Sequence, residues 1–175
     1  MGLTLVRTIQ NMTALSAAGA SAVRGLGSPA AFRTACGYLS RLELHKFSVA
    51  SEYGFRRILD QETNDFRDAL PQKARYWGAI RQALNLFLRD AFYNFYLREQ
   101  FNLPVSEPWY EVPLDAALVR ALRKYDSGNT LSKWPGINKL TDSMSENYQL
   151  FALLVARENG ISRVHLSAWL GFEEK

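Results

Sequence analysis

Cysteine is almost missing from this chain of 175 residues, where Cys36 stands alone. A single thiol excludes an intramolecular disulfide and any cysteine-based zinc site, and it suits a reducing compartment. Cys36 itself reads as a packing residue rather than a nucleophile. Histidine is scarce too: His45 and His165 lie far apart, with no HExxH pattern and no Cys/His spacing. There is no Gly-rich phosphate loop and no Gly-x-Ser-x-Gly elbow. Six prolines beside 47% hydrophobic residues exclude global disorder and Pro-rich or collagen-like classes. Long apolar runs are also lacking. Thr8 to Val23 is 16 residues without charge, but it is full of Thr, Ser, Gly and Asn, so no transmembrane helix is expected. The most apolar run, Leu150–Ala156, is short and suits a buried helix. No metal and no cofactor is expected. Asp60, Glu62, Asp65 and Asp68 are dense in carboxylates, yet on a helix they spread over several faces and read as a solvated acidic surface.

Acid is absent from the first 42 residues. That stretch holds Arg7, Arg24, Arg33 and Arg41, and the first carboxylate is Glu43. The remainder carries 17 basic and 17 acidic residues, so the net charge of +4 belongs to the N-terminal segment alone. The sequence pI of 9.3 therefore describes a neutral body with a basic arm. An Ala-, Ser-, Thr- and Gly-rich segment with spaced arginines has the composition of a mitochondrial transit peptide. A bacterial or archaeal cytoplasmic chain with an acid-poor start is the competing placement. Leu3, Val6, Ile9, Met12 and Leu15 are expected along one side of a helix, with Arg7 and Gln10 off it. Such an arm would suit targeting, anchoring or peripheral membrane contact.

The body, residues 43–175, reads as helices joined by turns, so the expected fold is all-α. One domain of six helices surrounds a long central helix. Ser28-Pro29 pairs an N-cap with Pro at the first helical position and opens a helix to Leu42. A second helix is expected over 48–60, with Phe55, Ile58 and Leu59 inward, and an acidic segment, Glu62–Leu70, runs to Pro71. The long helix is expected over 72–101, because Tyr76, Ile80, Ala83, Leu84, Phe87, Ala91 and Phe95 recur at spacings of three and four. Trp77, Leu88 and Phe92 add a second apolar face. Arg75, Arg81, Gln82, Asn85 and Arg89 form a narrow polar stripe. Residues 102–113 hold three prolines and read as a loop. Leu114–Tyr125 is helical, and Ser127-Gly128-Asn129 and Trp134-Pro135-Gly136 are turns. Ser143 and Glu146 have capping-box spacing for a helix that runs to Asn159 and stops at Gly160. A short helix over 163–172 ends the chain.

Three segments carry a resemblance. They are Arg81-Gln82-Ala83-Leu84-Asn85-Leu86-Phe87, then Val112-Pro113-Leu114-Asp115 with Val119-Arg120-Ala121-Leu122, then Val155 to Leu166. In that order, over about 90 residues, the chain resembles helix-hairpin-helix DNA glycosylases of the archaeal 8-oxoguanine type. The resemblance implies a lysine that attacks the anomeric carbon of a flipped nucleotide, assisted by an aspartate. The aspartate falls on Asp115, the lysine slot holds Gln82, and the family's aspartate after His-Leu is Ser167 here. A second hairpin match, Trp134 to Thr141, implies phosphate contact through Gly136, Asn138 and Lys139, with Arg163 as a further DNA-binding candidate. Its lysine slot is Leu140. Glutamine cannot form a Schiff base, so both placements lack the nucleophile and imply a non-catalytic relative.

The same residues have plainer readings. Asp115 suits an N-terminal helix acid, Gln82 a polar-stripe residue, and His165 a satisfied half-buried histidine. A neutral body also argues against duplex binding, which leans on charge. Two functions follow. The favoured one is a non-catalytic accessory or structural subunit of a larger assembly, such as a mitochondrial respiratory complex, ATP synthase or ribosome. Its protein partners would meet Arg7, Trp109, Tyr110, Trp134 and Trp169, since interfaces favour aromatic and arginine side chains. The alternative is a helix-hairpin-helix DNA-binding or base-excision protein.

Overall fold

The computed structural model describes residues 3–19 and 28–173. Its regular elements, among the described residues, are all helical, in line with the expected fold class. Helix α1 spans Leu3–Ala18, α2 Pro29–Leu39, α3 Glu52–Ala69, α4 Trp77–Tyr93 and α5 Phe95–Gln100. Helix α6 spans Ala116–Leu122, α7 Asp142–Glu158 and α8 Leu166–Glu173. Short 3-10 turns join several of them. No described helix is long and apolar enough to cross a membrane.

The segment read as an arm contributes two helices to the core. Helix α1 packs on α2, α4 and α5. It buries Val6, Gln10, Ala14, Ala17 and Ala18, which belong with α4 to one arc of the interior. The expected stripe is thus rotated: Gln10 faces inward, while Met12 and Leu15 are 66% and 56% exposed. The alanines let the helix axes approach closely, and Gln10 Nε2 donates to the Leu42 carbonyl at 2.8 Å, so its amide is satisfied inside. Arg24 lies outside the described residues. Helix α2 opens as the sequence predicts, with the Ser28 hydroxyl accepting from Ala31 N at 3.1 Å and Pro29 at the first position. Cys36 packs partly buried against the same core, and burial pushes its thiol up.

Helix α3 fuses the predicted 48–60 helix with the acidic segment after it. It starts later because Ser51 supplies the cap, accepting from Gly54 N at 3.1 Å. Phe55, Leu59, Glu62 and Phe66 recur along its buried face. Glu62 is therefore not part of a solvated surface. It accepts from the Tyr38 hydroxyl at 2.6 Å and from Lys46 at 3.2 Å.

The predicted 72–101 helix is three pieces. Residues Gln72–Ala74 form a 3-10 turn, α4 begins at Trp77, and Asn94 interrupts the run with ψ 115°. The Asn94 side chain accepts from Tyr96 N and Leu97 N, so it ends α4 and caps α5. Asparagine competes for backbone donors well enough to override apolar periodicity here. Helix α4 is still the central element, buried on nearly every side from Gly78 to Phe92. It belongs to the first of two hydrophobic clusters and touches the second through Trp77. The first is built by α1–α5; the second by α6, α7 and α8 with Val112, Leu114 and Leu140.

The 102–113 loop contains a 3-10 helix, Leu103–Trp109, entered through Asn102 at φ 51°. Helix α7 begins one residue after Thr141, whose hydroxyl accepts from Met144 N at 3.3 Å. The Ser143–Glu146 box is not used; Glu146 instead pairs with Arg56 at 2.8 Å. Gly160, at φ 67°, follows the end of α7 as predicted. The last predicted helix starts as a 3-10 turn, Arg163–His165, before α8.

Candidate functional site

Polar chemistry gathers where α4 touches the second cluster. Arg81, on α4, is 3% exposed. Its guanidinium donates through Nε to Glu111 Oε2 at 2.9 Å and through Nη2 to Glu111 Oε1 at 2.8 Å. Nη1 reaches Asp60 Oδ1 at 2.8 Å and the Thr63 hydroxyl at 2.9 Å, both on α3. Asn85, one turn along α4, donates to Glu111 Oε2 at 2.9 Å. Trp77 lies under the guanidinium, 5.6 Å from ring centroid to Cζ. Burial alone would raise the Glu111 carboxyl. The Arg81 guanidinium overrides it, helped by Arg163 and Asn85, and holds the group down at about 2. Burial alone would lower Arg81, but Glu111 and Asp60 overcome it and drive the guanidinium up. The pair is charged and fully committed to its neighbours.

Beside it a cleft opens between α3 and α7, lined among others by Glu52, Arg56, Trp109, Asp142 and Arg163. Arg163 donates to the carbonyls of Tyr110 at 3.0 Å, Trp109 at 3.2 Å and Gln149 at 3.2 Å. It ties three chain segments together rather than facing outward as a phosphate ligand. Burial lowers its guanidinium. Gln149 does the same work by amide: its Nε2 donates to Val112 O at 2.8 Å and its Oε1 accepts from Val112 N at 3.2 Å. Asp142 is raised, by burial and by Asp60.

The residues implied by the glycosylase resemblance are only partly brought together. Asp115 and Ser167 share a shallow depression between α6 and α8. Gln82 is 6% exposed and sits elsewhere, in a narrow space with Gly78, Leu114 and Leu140. It is a buried residue, not part of a solvated stripe, and neither are Arg81 and Asn85. Asp115 Oδ1 accepts from Leu118 N at 2.8 Å and caps α6, the plain reading of that residue. Gly136, at φ 87°, and the exposed Asn138 and Lys139 form a turn laid over the start of α4. A Cβ on Gly78 would collide with the Ile137 carbonyl and lie 2.6 Å from Leu140 Cβ. Helix α6 ends at Leu122, so residues 123–135 separate it from this turn.

The predicted interface set also divides. Arg7 is exposed on α1. Tyr110 is 1% exposed, tilted against Phe55 and Phe92 with centroids at 5.0 and 5.4 Å, and belongs to the core. Trp109, Trp134 and Trp169 are half-buried and pack on the two clusters. Burial wins for these aromatics because the interior offers more apolar contact than solvent. Sequence reasoning missed Glu111, Thr63 and Gln149. Their roles rest on partners 18 to 37 residues away, which no local pattern marks.

The fold and site define an all-α protein whose central helix is locked by a buried ion-pair network. The chain matches no protein-family model, no curated protein and no solved structure.

Proposed function

We propose that this protein is a non-catalytic helical subunit of a larger protein assembly. The outer face of α1 carries the reading. While Val6, Gln10, Ala14 and Ala17 are packed inward, Thr4, Leu5, Arg7, Thr8, Asn11, Met12, Leu15 and Ser16 face out, with Arg7 the one charge among them. An ordinary solvent-facing helix surface carries several charges; a face with one arginine, no acid and three large apolar residues suits burial against another protein. Gln82 in the lysine slot and Asp115 engaged as a helix cap both weigh against base excision. The acid-free composition of residues 1–42 supports a mitochondrial assembly.

The test is photo-crosslinking in cells, with a benzophenone amino acid at Met12 and, as control, at the exposed Arg57. The expected result is a discrete protein adduct from position 12 and none from 57, lost when Leu5 and Leu15 are changed to Glu. No adduct at position 12 would overturn the reading. Salt-sensitive duplex DNA binding, weakened by Lys139→Ala, would replace it with the nucleic-acid alternative.

A further inference from the structure

Tyr93, Glu107, Ser162 and His165 come from three separate segments and form one hydrogen-bonded chain at the surface. Tyr93 ends α4, Glu107 lies in the 103–109 3-10 helix, and Ser162 and His165 flank the turn into α8. The Tyr93 hydroxyl stands 2.9 Å from His165 Nδ1. His165 Nε2 stands 3.2 Å from Glu107 Oε1, and the Ser162 hydroxyl donates to that same oxygen at 2.8 Å. A carboxylate only accepts, so in the neutral ring Nε2 carries the hydrogen. Nδ1 is then the lone-pair nitrogen and, at 2.9 Å, the nearer acceptor for the phenol, whose second acceptor is the Val164 carbonyl at 3.5 Å. The rings of Tyr93 and His165 are parallel within 3°, and Phe92 flanks the imidazole with centroids 5.8 Å apart. The imidazole is thus fixed in orientation as well as in tautomer. Tyr93 is 45% exposed, so its hydroxyl is within reach of a reagent. A phenol is protonated at neutral pH, so its reactivity depends on a base, and burial pushes Tyr93 further up.

A hydroxyl bonded to a base that is oriented by a third group is the geometry that activates a nucleophile. We propose that Tyr93 is an acceptor hydroxyl, primed by His165 and Glu107, for acyl transfer from an activated acyl donor of the acyl-imidazole or thioester class. Tyr93 Oη attacks the acyl carbon and forms the ester C–O bond, while the bond from that carbon to the donor's nitrogen or sulfur breaks. The phenolic proton passes to His165 Nδ1, and Glu107 holds the imidazolium through Nε2. The imidazolium then gives the proton to the departing group, so the ring returns to its starting tautomer and nothing is oxidised or reduced. Tyr93 would be a covalent modification site, independent of the α1 face.

The experiment treats the full chain with N-acetylimidazole at neutral pH and follows acetylation of each tyrosine by peptide mass spectrometry. Tyr53, 79% exposed, is the internal reference. The expected rate at Tyr93 exceeds that at Tyr53 by about tenfold or more, a modest share of what a positioned base supplies. His165→Gln is expected to bring Tyr93 down to the Tyr53 rate, and Glu107→Gln to lower it in part. Equal rates at Tyr93 and Tyr53 in the unaltered chain would overturn the proposal without recourse to any variant. So would a His165→Gln chain that stays folded and keeps the fast rate.

Discussion

Arg81 on α4 and Glu111 on the extended segment before α6 meet in a two-point ion pair, at 2.9 and 2.8 Å, with side chains 4% and 13% exposed. The pair joins the two hydrophobic clusters. Glu111 is the carboxylate at Nε and Nη2 of Arg81, while Asp60 reaches only Nη1. Glu111→Gln keeps the shape and removes the charge, leaving the buried guanidinium with Asp60, on one side, as its remaining carboxylate partner. Breaking a buried pair from one side costs about 3–5 kcal/mol. The chain is expected to lose up to about that amount of stability, read by urea denaturation. Replacing both residues by apolar ones of similar volume is expected to cost far less, which a double-mutant cycle would read directly.

The same pair sets an acid limit. The Glu111 carboxyl is held at about 2 in the folded chain, below its ordinary 4.5. A lowered folded value means stability that is fully present above the unfolded value and lost as pH falls toward the folded one. The expected loss is on the order of 3 kcal/mol between pH 4.5 and 2, from ~1.4 kcal/mol per pH unit. Asp126, lowered by the amides of Leu131 and Thr130, acts in the same direction. Asp142, raised by burial, acts in the opposite one. Thermal melts across this range are expected to show Tm falling with acid, and a Glu111→Gln chain is expected to lose most of that slope.

Gly78 is a packing requirement rather than a flexible point. It sits inside α4 with an ordinary helical backbone, and the turn over 137–140 rests directly on it. Gly78→Ala would raise intrinsic helix propensity by up to about 1 kcal/mol. The added Cβ nonetheless meets backbone at Ile137, which cannot swing aside as a side chain could. The collision is expected to win, with a net loss of about 3 kcal/mol from overpacking. A stabilised Gly78→Ala chain in a denaturant titration would contradict the contact.

What the sequence made legible was local or periodic. The 3.6-residue spacing of Ile80, Ala83, Leu84, Phe87 and Ala91 marked the central helix, and Ser28-Pro29 and Gly160 marked two helix ends correctly. Asn94 was not legible as a break, because it lies inside an apolar periodicity that continues through Leu97. Gln10 was not legible as an inward residue, since its partner is the Leu42 carbonyl, 32 residues on. The Arg81 site failed for the same reason. An arginine next to Gln82 and one turn from Asn85 reads as a solvent stripe until Glu111 is folded against it, 30 residues later. Tyr93 and His165 are 72 residues apart and share no motif.

Asp115 separates a structural role from a chemical one. Its backbone is extended, its Oδ1 accepts from Leu118 N at 2.8 Å, and α6 that follows is only seven residues long. A helix so short depends heavily on its cap. Asparagine caps a helix as well as aspartate does, whereas alanine forfeits about 1 kcal/mol. If capping is the role of Asp115, Asp115→Asn is expected to keep the stability of the parent chain and Asp115→Ala to lower it by about that amount, read by chemical denaturation. A carboxylate needed for its charge would rank the two variants together. The cap and the charge therefore predict different orders, and the Asn variant is the one that tells them apart.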